Sequence, residues 1–475
     1  MNHKIKRALI SVTDKSGLEY FAGKLSEKGI EIIASGGTAK AISRAGIAVT
    51  EISDMTGFPE CMDGRVKTLH PKVHGGILAD RGKNTHLQQA GKLGIGLIDL
   101  VAVNLYRFRE AAADSSLDEG EKVEQIDIGG PALIRSAAKN FHSVTVIVDP
   151  ADYESVISEM EREGGSTSLQ TRRLLASKAF HHTASYEAAN SSFLERLQPS
   201  DEPPPEIITA FRRKHSLRYG ENPQQKAVLY VSESSAVKFG DFVQHQGKEL
   251  SYNNIQDMWA AFLLGRDLGP ESCAIIKHTN PCGAAVCAGA LESFIRARQT
   301  DPSSAFGSVI SINGIVDEKL AAAMGEGFVE VLLARGYTPE AMEVFGRRKN
   351  LRILTVPREE WDRDLSGWVG KEAGDLLLMQ ERDTGFGELE KLEFVTSRKP
   401  SPEELKAMAL SWKIVAHVKS NGIVLCDQSG TVGVGAGQMS RVDSCRIAVE
   451  KAKREGLTVE GTSAWSDAFF PFPDG

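Results

Sequence analysis

The sequence predicts an α/β protein of two domains, with a parallel sheet covered by helices in the first domain. Three observations lead to this fold class. The chain has 475 residues, which is too long for one ordinary hydrophobic core. In its first part, short apolar runs alternate with helical patterns, as they do in parallel sheets. The prolines of the stretch 198–205 have no backbone N–H to donate, so this stretch predicts an extended linker.

The linker sets the expected domain boundaries. We expect a first domain at 1–198, a linker at 199–206 and a second domain at 207–475. The second domain combines strands and helices with turn-rich stretches, and the sequence shows no internal repeat.

The elements of the first domain follow from the spacing of apolar residues. Residues 8–12 and 30–34 predict neighbouring strands, and the intervening helix has Leu18, Phe21 and Leu25 on its buried face. Later elements are predicted as strands at 100–103 and 144–148 and as helices at 131–139 and 169–197. Pro131 is expected at the first helical position, where its missing N–H costs nothing.

Composition and charge exclude several classes of protein. With 41% hydrophobic and 25% charged residues, the chain is globular rather than fibrous or disordered. A net charge of -7 argues against coating nucleic acid. The six cysteines form no CxxC pair, as expected of reduced thiols in the cytoplasm. We find no signal peptide and no apolar run long enough to span a bilayer, so we expect a cytoplasmic protein without a membrane partner.

Two loops at the ends of the first two strands carry hydroxyl groups, lysines and glycines. Residues 11–17 lie between a strand and a helix, where free backbone N–H groups and the helix dipole favour an anion. Residues 35–40 repeat the arrangement, and adjacent parallel strands open onto one crevice. Each loop alone is equally a capped helix start with a solvated lysine.

Two further segments of the first domain suit a phosphate or an oxyanion. If residues 64–71 are extended, Arg65 and Lys67 point to one side and can converge on one phosphate. The alternative is a solvated basic surface. Residues 125–131 form a glycine-rich start of a helix, whose N–H groups are candidates for an oxyanion hole.

In the second domain, a buried strand at 274–277 ends in adjacent Lys277 and His278. Adjacent strand residues point to opposite faces, so both can serve one site only if the chain bends, and we expect Asn280-Pro281 to supply that bend. A zinc-deaminase interpretation fails, because Asn280 stands where a glutamate is required and Ala285 where a second cysteine is required. We therefore expect no zinc.

Residues 433–438 contain glycines spaced like a dinucleotide fingerprint. The third glycine position holds Gln438, which makes an NAD-dependent dehydrogenase improbable. Close packing of the backbone is the alternative reason for these glycines.

In these loops and in several further segments, the chain resembles the bifunctional AICAR transformylase/IMP cyclohydrolase family. The further segments are 104–106, 127–131, 217–223, 304–307, 419–421 and 466–471. The resemblance covers nearly the whole chain. It implies a methylglyoxal-synthase-like cyclohydrolase domain followed by a cytidine-deaminase-like transformylase domain of duplicated subdomains without zinc. It also implies the last two steps of IMP synthesis, a homodimer, and AICAR, formyl-AICAR, IMP and folate as ligands.

For the first domain, the resemblance implies that the catalytic residues are Lys67, Tyr106, Asp127 and Lys139. The structural alternatives are that Tyr106 is a core aromatic residue and that Asp127 caps a helix. The residues implied to hold the nucleotide are Ser11, Thr13, Lys15, Ser35, Gly37, Thr38, Arg65, Thr68, Asn104 and Gly129. Arg107 stands where the family usually has proline.

For the second domain, the resemblance implies His278 as the base, Lys277 as its electrostatic partner and Asn421 as an orienting group. The formyl donor implied is 10-formyltetrahydrofolate, a co-substrate, with no catalytic metal. The residues implied to bind substrates are Arg218, Tyr219, Phe306, Gly307, Glu330, Arg441 and Phe470.

Two expectations remain. A non-catalytic nucleotide-binding regulatory protein on the same folds is the alternative function, although such a site needs no proton-transfer residues. The chain ends at 472–475, where the resemblance implies a further strand, a helix and an arginine that clamps the AICAR phosphate. We expect a longer natural protein, and weak AICAR binding by the chain as given.

Overall fold

The computed structural model describes residues 3–198, 200, 202–233, 235, 237–384, 392–470 and 472. The chain forms two compact units, Met1–Ala210 with Ser232–Ser234 and Phe211–Val231 with Ser235–Gly475. Pro199 and Asp201 of the expected linker, Pro471, and residues 473–475 at the end of the chain lie outside the described residues.

The first unit is built on a parallel sheet with the strand order β3-β2-β1-β4-β5. Its strands are β1 (Arg7–Val12), β2 (Glu31–Ala34), β3 (Thr50–Glu51), β4 (Leu100–Asn104) and β5 (Thr145–Ile147). The central strand β1 pairs Ala8 with Ile32 on one side and with Leu100 on the other. Because the strands are parallel, the loops that follow β1, β2 and β4 open at the same edge.

Helices surround this sheet, and most of them bury apolar residues in its core. They are α1 (Leu18–Glu27), α2 (Gly36–Arg44), α3 (Ile52–Thr56), α4 (Pro71–Leu78), α5 (Asn84–Lys92), α6 (Phe108–Ala113), α7 (Glu119–Val123), α8 (Gly129–Lys139), α9 (Tyr153–Arg162) and α10 (Leu169–Leu197), with 3-10 turns at Met62–Gly64 and Pro150–Asp152. Leu18, Phe21 and Leu25 of α1 are buried in the core, as their spacing predicts.

The predicted start of one helix in this unit is wrong. Helix α8 begins at Gly129, two residues before Pro131. The first four N–H groups of a helix have no intrahelical partner, so a proline at the third position is as harmless as one at the first. The strand predicted at 144–148 is shorter, and helix α10 has the predicted bounds.

The second unit contains a six-stranded mixed sheet, a three-stranded sheet and two strand pairs. Its strands are β6 (Phe211–Leu217), β7 (Ala227–Ser232), β8 (Val243–Gln246), β9 (Ser272–Lys277), β10 (Asn280–Val286), β11 (Ser308–Val316), β12 (Val329–Tyr337), β13 (Arg352–Thr355), β14 (Trp368–Ala373), β15 (Leu376–Glu381), β16 (Ile423–Cys426), β17 (Thr431–Gly435) and β18 (Ser463–Ser466). Its helices are α11 (Tyr252–Leu268), α12 (Ala290–Thr300), α13 (Pro302–Ala305), α14 (Glu318–Ala323), α15 (Pro339–Phe345), α16 (Arg358–Asp362), α17 (Pro402–Val415) and α18 (Arg441–Arg454), with 3-10 turns at Phe239–Asp241 and Met324–Glu326.

The second unit repeats one topology. A helix, an antiparallel hairpin, a second helix and a strand antiparallel to the first hairpin strand occur as α11-β9-β10-α12-β11, and again as α17-β16-β17-α18-β18. The two copies join where the hairpin strands β10 and β17 meet, at the bridge between Ala285 and Gly430. The repeat is visible in the fold because topology persists after sequence similarity is lost.

Gly433 and Gly435 serve close packing. A Cβ atom on Gly433 would overlap the Ala448 backbone, and one on Gly435 would overlap the Ser444 backbone, so strand β17 lies directly against helix α18. Glycine allows this approach because it has no side chain. No helix in the described part of the chain combines the length and apolar character needed to cross a membrane.

Candidate active sites

In the first unit, the two hydroxyl-bearing loops meet at the carboxyl edge of the sheet. Ser11 lies near the end of β1 and Ser35 follows β2, and their Oγ atoms are 3.4 Å apart. Neighbouring parallel strands bring these loops together, as expected.

In the first loop, the N–H groups of Val12, Thr13 and Asp14 have partners within the protein, so they are not the free N–H groups that we expected. The buried Thr38 hydroxyl accepts from the N–H of Val12 and donates to its carbonyl, both at 3.0 Å. Oδ1 of Asn104 accepts from the N–H groups of Thr13 (2.7 Å) and Asp14 (2.9 Å). A buried N–H finds a partner within the protein, and here neighbouring strands and helices supply it. Thr38 and Asn104 therefore hold the loop in shape.

Two ammonium groups lie at the start of helix α2 instead. A Cβ atom on Gly36 would be 3.6 Å from Lys67 Nζ, and one on Gly37 would be 4.0 Å from Lys15 Nζ. The helix begins at Gly36, so the positive end of its dipole lies at the same place. Cations from two separate loops and a helix N-terminus together suit a phosphate.

Arg65 and Lys67 do not converge in the way that an extended strand would place them. Residues 62–64 form a 3-10 turn and Arg65 has helical dihedral angles, so the predicted alternation is absent. Each cation faces its own carboxylate: Lys67 Nζ is 2.9 Å from Glu60, and Arg65 pairs with Glu124.

A carboxyl group lies beside the glycine-rich start of helix α8. Asp127 accepts from the N–H of Gly130 at 2.7 Å, and Asp127 donates its own N–H to the Tyr186 hydroxyl at 2.7 Å. Burial raises the pKa of Asp127, while N–H groups of Gly130 and Tyr106 act in the opposite direction. Asp127 thus caps the helix start and is also a carboxyl group with a perturbed pKa.

Thr68 and Tyr106 lie near this carboxyl. A Cβ atom on Gly129 would be 2.6 Å from Thr68 Oγ1, so glycine leaves room for the threonine hydroxyl. Tyr106 is 44% exposed and is therefore not the core aromatic of the structural alternative. Arg107 has a φ of -79°, close to the angle that proline would impose.

Lys139 is not brought to this group of residues. It is the last residue of α8, and a rise of about 1.5 Å per residue puts its Cα about 15 Å from that of Gly129. A lysine side chain does not cover that distance to Asp127.

In the second unit, Lys277 and His278 lie at a tight turn between β9 and β10. The turn consists of His278 (φ 52°) and Thr279 (φ 60°), whereas Asn280 and Pro281 already belong to β10. The bend is therefore two residues earlier than predicted, because antiparallel pairing of Asn280 with Lys277 leaves only two residues for the turn. His278 is exposed at its tip, and Lys277 Nζ donates to the Phe306 carbonyl at 2.9 Å.

A chain of hydrogen bonds links this turn to the second copy of the repeat. The Asn280 amide donates to the His278 carbonyl (3.1 Å) and accepts from the N–H of Lys419 (2.9 Å). Two residues further on, Asn421 donates to the Gln438 carbonyl (2.8 Å) and accepts from Arg441 (2.7 Å). Asn280 thus links the backbone of the turn to Lys419, two residues before Asn421.

Arg441 is fixed on its other side. It donates to Ser466 at 2.6 Å and pairs with Asp467, and its guanidinium lies 6.0 Å from the centre of the Phe470 ring. The side chains of Phe470 and Phe306 are both largely exposed.

The Phe306 segment is anchored by the buried carboxylate of Asp301. Asp301 accepts from the N–H of Ser304 at 3.0 Å and receives Lys451 Nζ at 2.7 Å. Next to Phe306, Gly307 has a φ of 74° and donates to the Phe328 carbonyl at 2.6 Å. A glycine adopts that angle without strain.

Glu330 and Arg218 form a polar cluster around a buried arginine. Glu330 accepts from Arg352 and from Asn254, each at 3.3 Å. Burial lowers the pKa of Arg352, Glu330 raises it and the nearby Arg218 lowers it. Arg218 also lies 5.3 Å from the centre of the Tyr219 ring.

Sequence reasoning missed several polar partners in these sites: Glu60, Glu124, Asp301, and Asp257, which accepts from the N–H groups of His278 and Thr279. No local signal marks them, because each lies in an ordinary helix, turn or loop and meets its partner only in three dimensions. Among the described residues, no group of three or more His, Cys, Asp or Glu side chains is placed to hold a metal ion.

Two family models and a solved structure match parts of this chain. A family model described as "AICARFT/IMPCHase bienzyme" matches residues 137–451, and one described as "MGS-like domain" matches residues 17–132. Among solved structures, one titled "Crystal structure of ForH" is 37% identical, covering 41% of this chain and 100% of that chain with a TM-score of 0.38. The bienzyme model covers well over half of the chain, and its formyltransferase uses a folate co-substrate. The chain belongs to the AICARFT/IMPCHase bienzyme family of purine biosynthesis and is an enzyme with formyltransferase and cyclohydrolase activities.

Proposed function

We propose that the second unit transfers the formyl group of 10-formyltetrahydrofolate to AICAR, and that the first unit closes formyl-AICAR to IMP. The turn that presents Lys277 and His278, tied through Asn280 to Lys419, two residues before Asn421, is the single observation that carries this proposal. It brings a base and a cation to one turn and the second copy of the repeat next to that turn.

In formyl transfer, the AICAR amine attacks the formyl carbon, loses a proton, and tetrahydrofolate leaves with a proton on its nitrogen. His278 is exposed at the tip of its turn and is the group we assign to accept the amine proton. We assign Lys277, whose ammonium donates to the Phe306 carbonyl, to stabilise the oxyanion of the tetrahedral intermediate.

AICAR needs an anion site and an apolar site in this unit. We assign Arg218, which stacks near Tyr219, to the phosphate. Phe306 and Phe470 expose ring surface beside Lys277 and Arg441, and we assign them to the planar groups of AICAR and folate. Glu330 is engaged by Arg352 and therefore acts through that arginine.

In ring closure, the carboxamide nitrogen attacks the formyl carbon and water leaves. We assign Lys15 and Lys67, beside Gly36 and Gly37, to the phosphate and the developing charge. Asp127, whose pKa burial raises, is suited to carry a proton between nitrogen and the departing oxygen. Ser11, Thr13, Ser35, Arg65 and Thr68 complete the nucleotide site.

The decisive experiment supplies the purified chain with AICAR and 10-formyltetrahydrofolate and follows IMP by chromatography and mass. Formyl-AICAR alone tests ring closure separately. Formation of IMP in both reactions is expected. Binding of AICAR and IMP without turnover would replace this proposal with a nucleotide-binding regulatory protein.

We also infer a homodimer in a reducing, cytosolic compartment. Trp368, Leu376, Leu377 and Leu378 of the β14–β15 pair expose apolar surface that a second copy would cover. All six cysteines are free thiols. A monomer by sedimentation at micromolar concentration would contradict the dimer.

A further inference from the structure

The turn that presents His278 has an unusual backbone. His278 and Thr279 both have positive φ angles, 52° and 60°. Two-residue hairpin turns with two positive φ angles are normally built from Asn-Gly or Gly-Gly, since other residues are strained there. A histidine followed by a β-branched threonine is disfavoured at these positions, so something outside the turn must hold it.

The carboxylate of Asp257 lies against the backbone of this turn. Oδ2 accepts from the N–H of His278 at 3.2 Å, and Oδ1 accepts from the N–H of Thr279 at 2.7 Å. Each oxygen thus serves one amide, and consecutive N–H groups that point the same way form a concave anion-binding surface. Asp257 fills that surface from within the same unit.

Asp257 is itself held on a rigid element. It is in helix α11, whose start is fixed by a capping box between Ser251 and Asn254. Asn254 also donates to Glu330. Burial raises the pKa of Asp257, the N–H groups of Thr279 and His278 and the His278 ring lower it, and Glu330 raises it. The carboxylate is therefore held by the two amides of the turn, with the His278 ring nearby.

We propose that Asp257 is a positioning residue for formyl transfer, which holds the strained turn so that His278 faces the reacting amine. The inference rests on the proposed function of His278. It predicts that losing the carboxylate lowers turnover more than substrate binding, because displacing a catalytic group by about 1 Å can cost about 100-fold in rate.

Kinetics of three variants test the proposal. Asp257→Ala should lower kcat for formyl transfer by about 100-fold with less than about a threefold change in the KM for AICAR. Asp257→Asn keeps one acceptor and should lie between the wild type and the alanine variant. Ring closure of formyl-AICAR should be unchanged. Asp364→Ala is the matched control, because Asp364 also accepts two bonds in a local turn, from Ser366.

A second substitution that restores activity distinguishes a change in turn geometry from a loss of overall stability. Glycine adopts a positive φ without strain, so adding Thr279→Gly to Asp257→Ala should recover at least about tenfold of the lost kcat. Thr279→Gly alone should stay near wild-type activity. Failure of the double variant to recover activity, with both proteins folded, would overturn the proposal.

Hydrogen exchange gives a test that does not depend on activity. The amides of His278 and Thr279 should exchange at least about tenfold faster in Asp257→Ala than in the wild type. If the wild type transfers no formyl group but exchange is faster in Asp257→Ala, the proposed function is wrong, whereas Asp257 still holds the turn. If the wild type is active and Asp257→Ala is equally active, the positioning role of Asp257 is wrong, whereas the proposed function is retained.

Discussion

Nη2 of Arg441 donates a hydrogen bond of 2.7 Å to Oδ1 of Asn421. The nitrogen of that amide donates to the carbonyls of Gln438 and Met439, at 2.8 and 3.1 Å. Both ends of the Asn421 amide are therefore held by the protein. Arg441 determines which way the amide faces, and Asp467 and Ser466 determine where Arg441 lies.

Arg441→Lys should reduce kcat/KM for formyl transfer by about 10- to 100-fold, because a lysine cannot hold Asn421, Ser466 and Asp467 at the same time. Steady-state kinetics with AICAR measure it. Arg446→Lys, on the exposed face of the same helix, is the control. Equal activity of the two variants would remove Arg441 from the site.

Lys67→Ala should abolish ring closure and leave formyl transfer within about twofold of the wild type, because the ammonium beside Gly36 lies in the first unit. Conversion of formyl-AICAR to IMP measures the first activity. Lys24→Ala removes an exposed lysine of the same unit and should leave both activities intact. Loss of both activities in folded Lys67→Ala would contradict two separate sites.

His278→Ala should remove formyl transfer and preserve ring closure, since it deletes the assigned base. His245→Ala, an exposed histidine bonded to Thr355, is the matched control. Elemental analysis of the wild type and His278→Ala should find no stoichiometric zinc. A full equivalent of zinc in the wild type would revive the deaminase chemistry.

Glu60→Gln or Glu124→Gln should tighten IMP binding to the first unit by up to about fivefold, because each carboxylate competes with phosphate for Lys67 or Arg65. Exposed ion pairs contribute about 0 to 1 kcal/mol, which limits the gain. Calorimetric titration with IMP measures it, with Glu27→Gln as the control. Weaker binding in both variants would show that the carboxylates support the site.

Asp301→Asn should destabilise the protein at neutral pH by about 1 to 3 kcal/mol. Burial raises the pKa of Asp301, but hydrogen bonds from Lys451 and Ser304 outweigh it and hold the pKa below its usual value. Because the folded pKa is depressed, this stabilisation is present above about pH 4 and is lost as pH falls through the folded pKa.

Urea unfolding of the wild type and Asp301→Asn at pH 7 and at about pH 3 measures this effect. The difference between the proteins should shrink in acid. A difference of the same size at both pH values would contradict the ionic role of Asp301.

The elements of the fold were predictable where the signal is local. Helix α10 and the burial of Leu18, Phe21 and Leu25 follow from apolar periodicity. Errors arose where local rules allow more than one solution. A proline is tolerated at either of two positions near the start of α8, and the Lys277 hairpin can bend at His278-Thr279 against the preference of those residues because Asp257 compensates.

The candidate sites divide in the same way. The sequence by itself determined which loops carry cations, hydroxyls and glycines, because these are properties of residue type and of position at a strand end. Only the tertiary structure decided which groups meet: Arg65 with Glu124, Thr279 with Asp257, and Asp301 with Lys451 lie 59, 22 and 150 residues apart in the chain. A hydrogen bond or ion pair forms over about 3 Å, and only the packing of strands and helices brings residues so far apart in sequence to that distance.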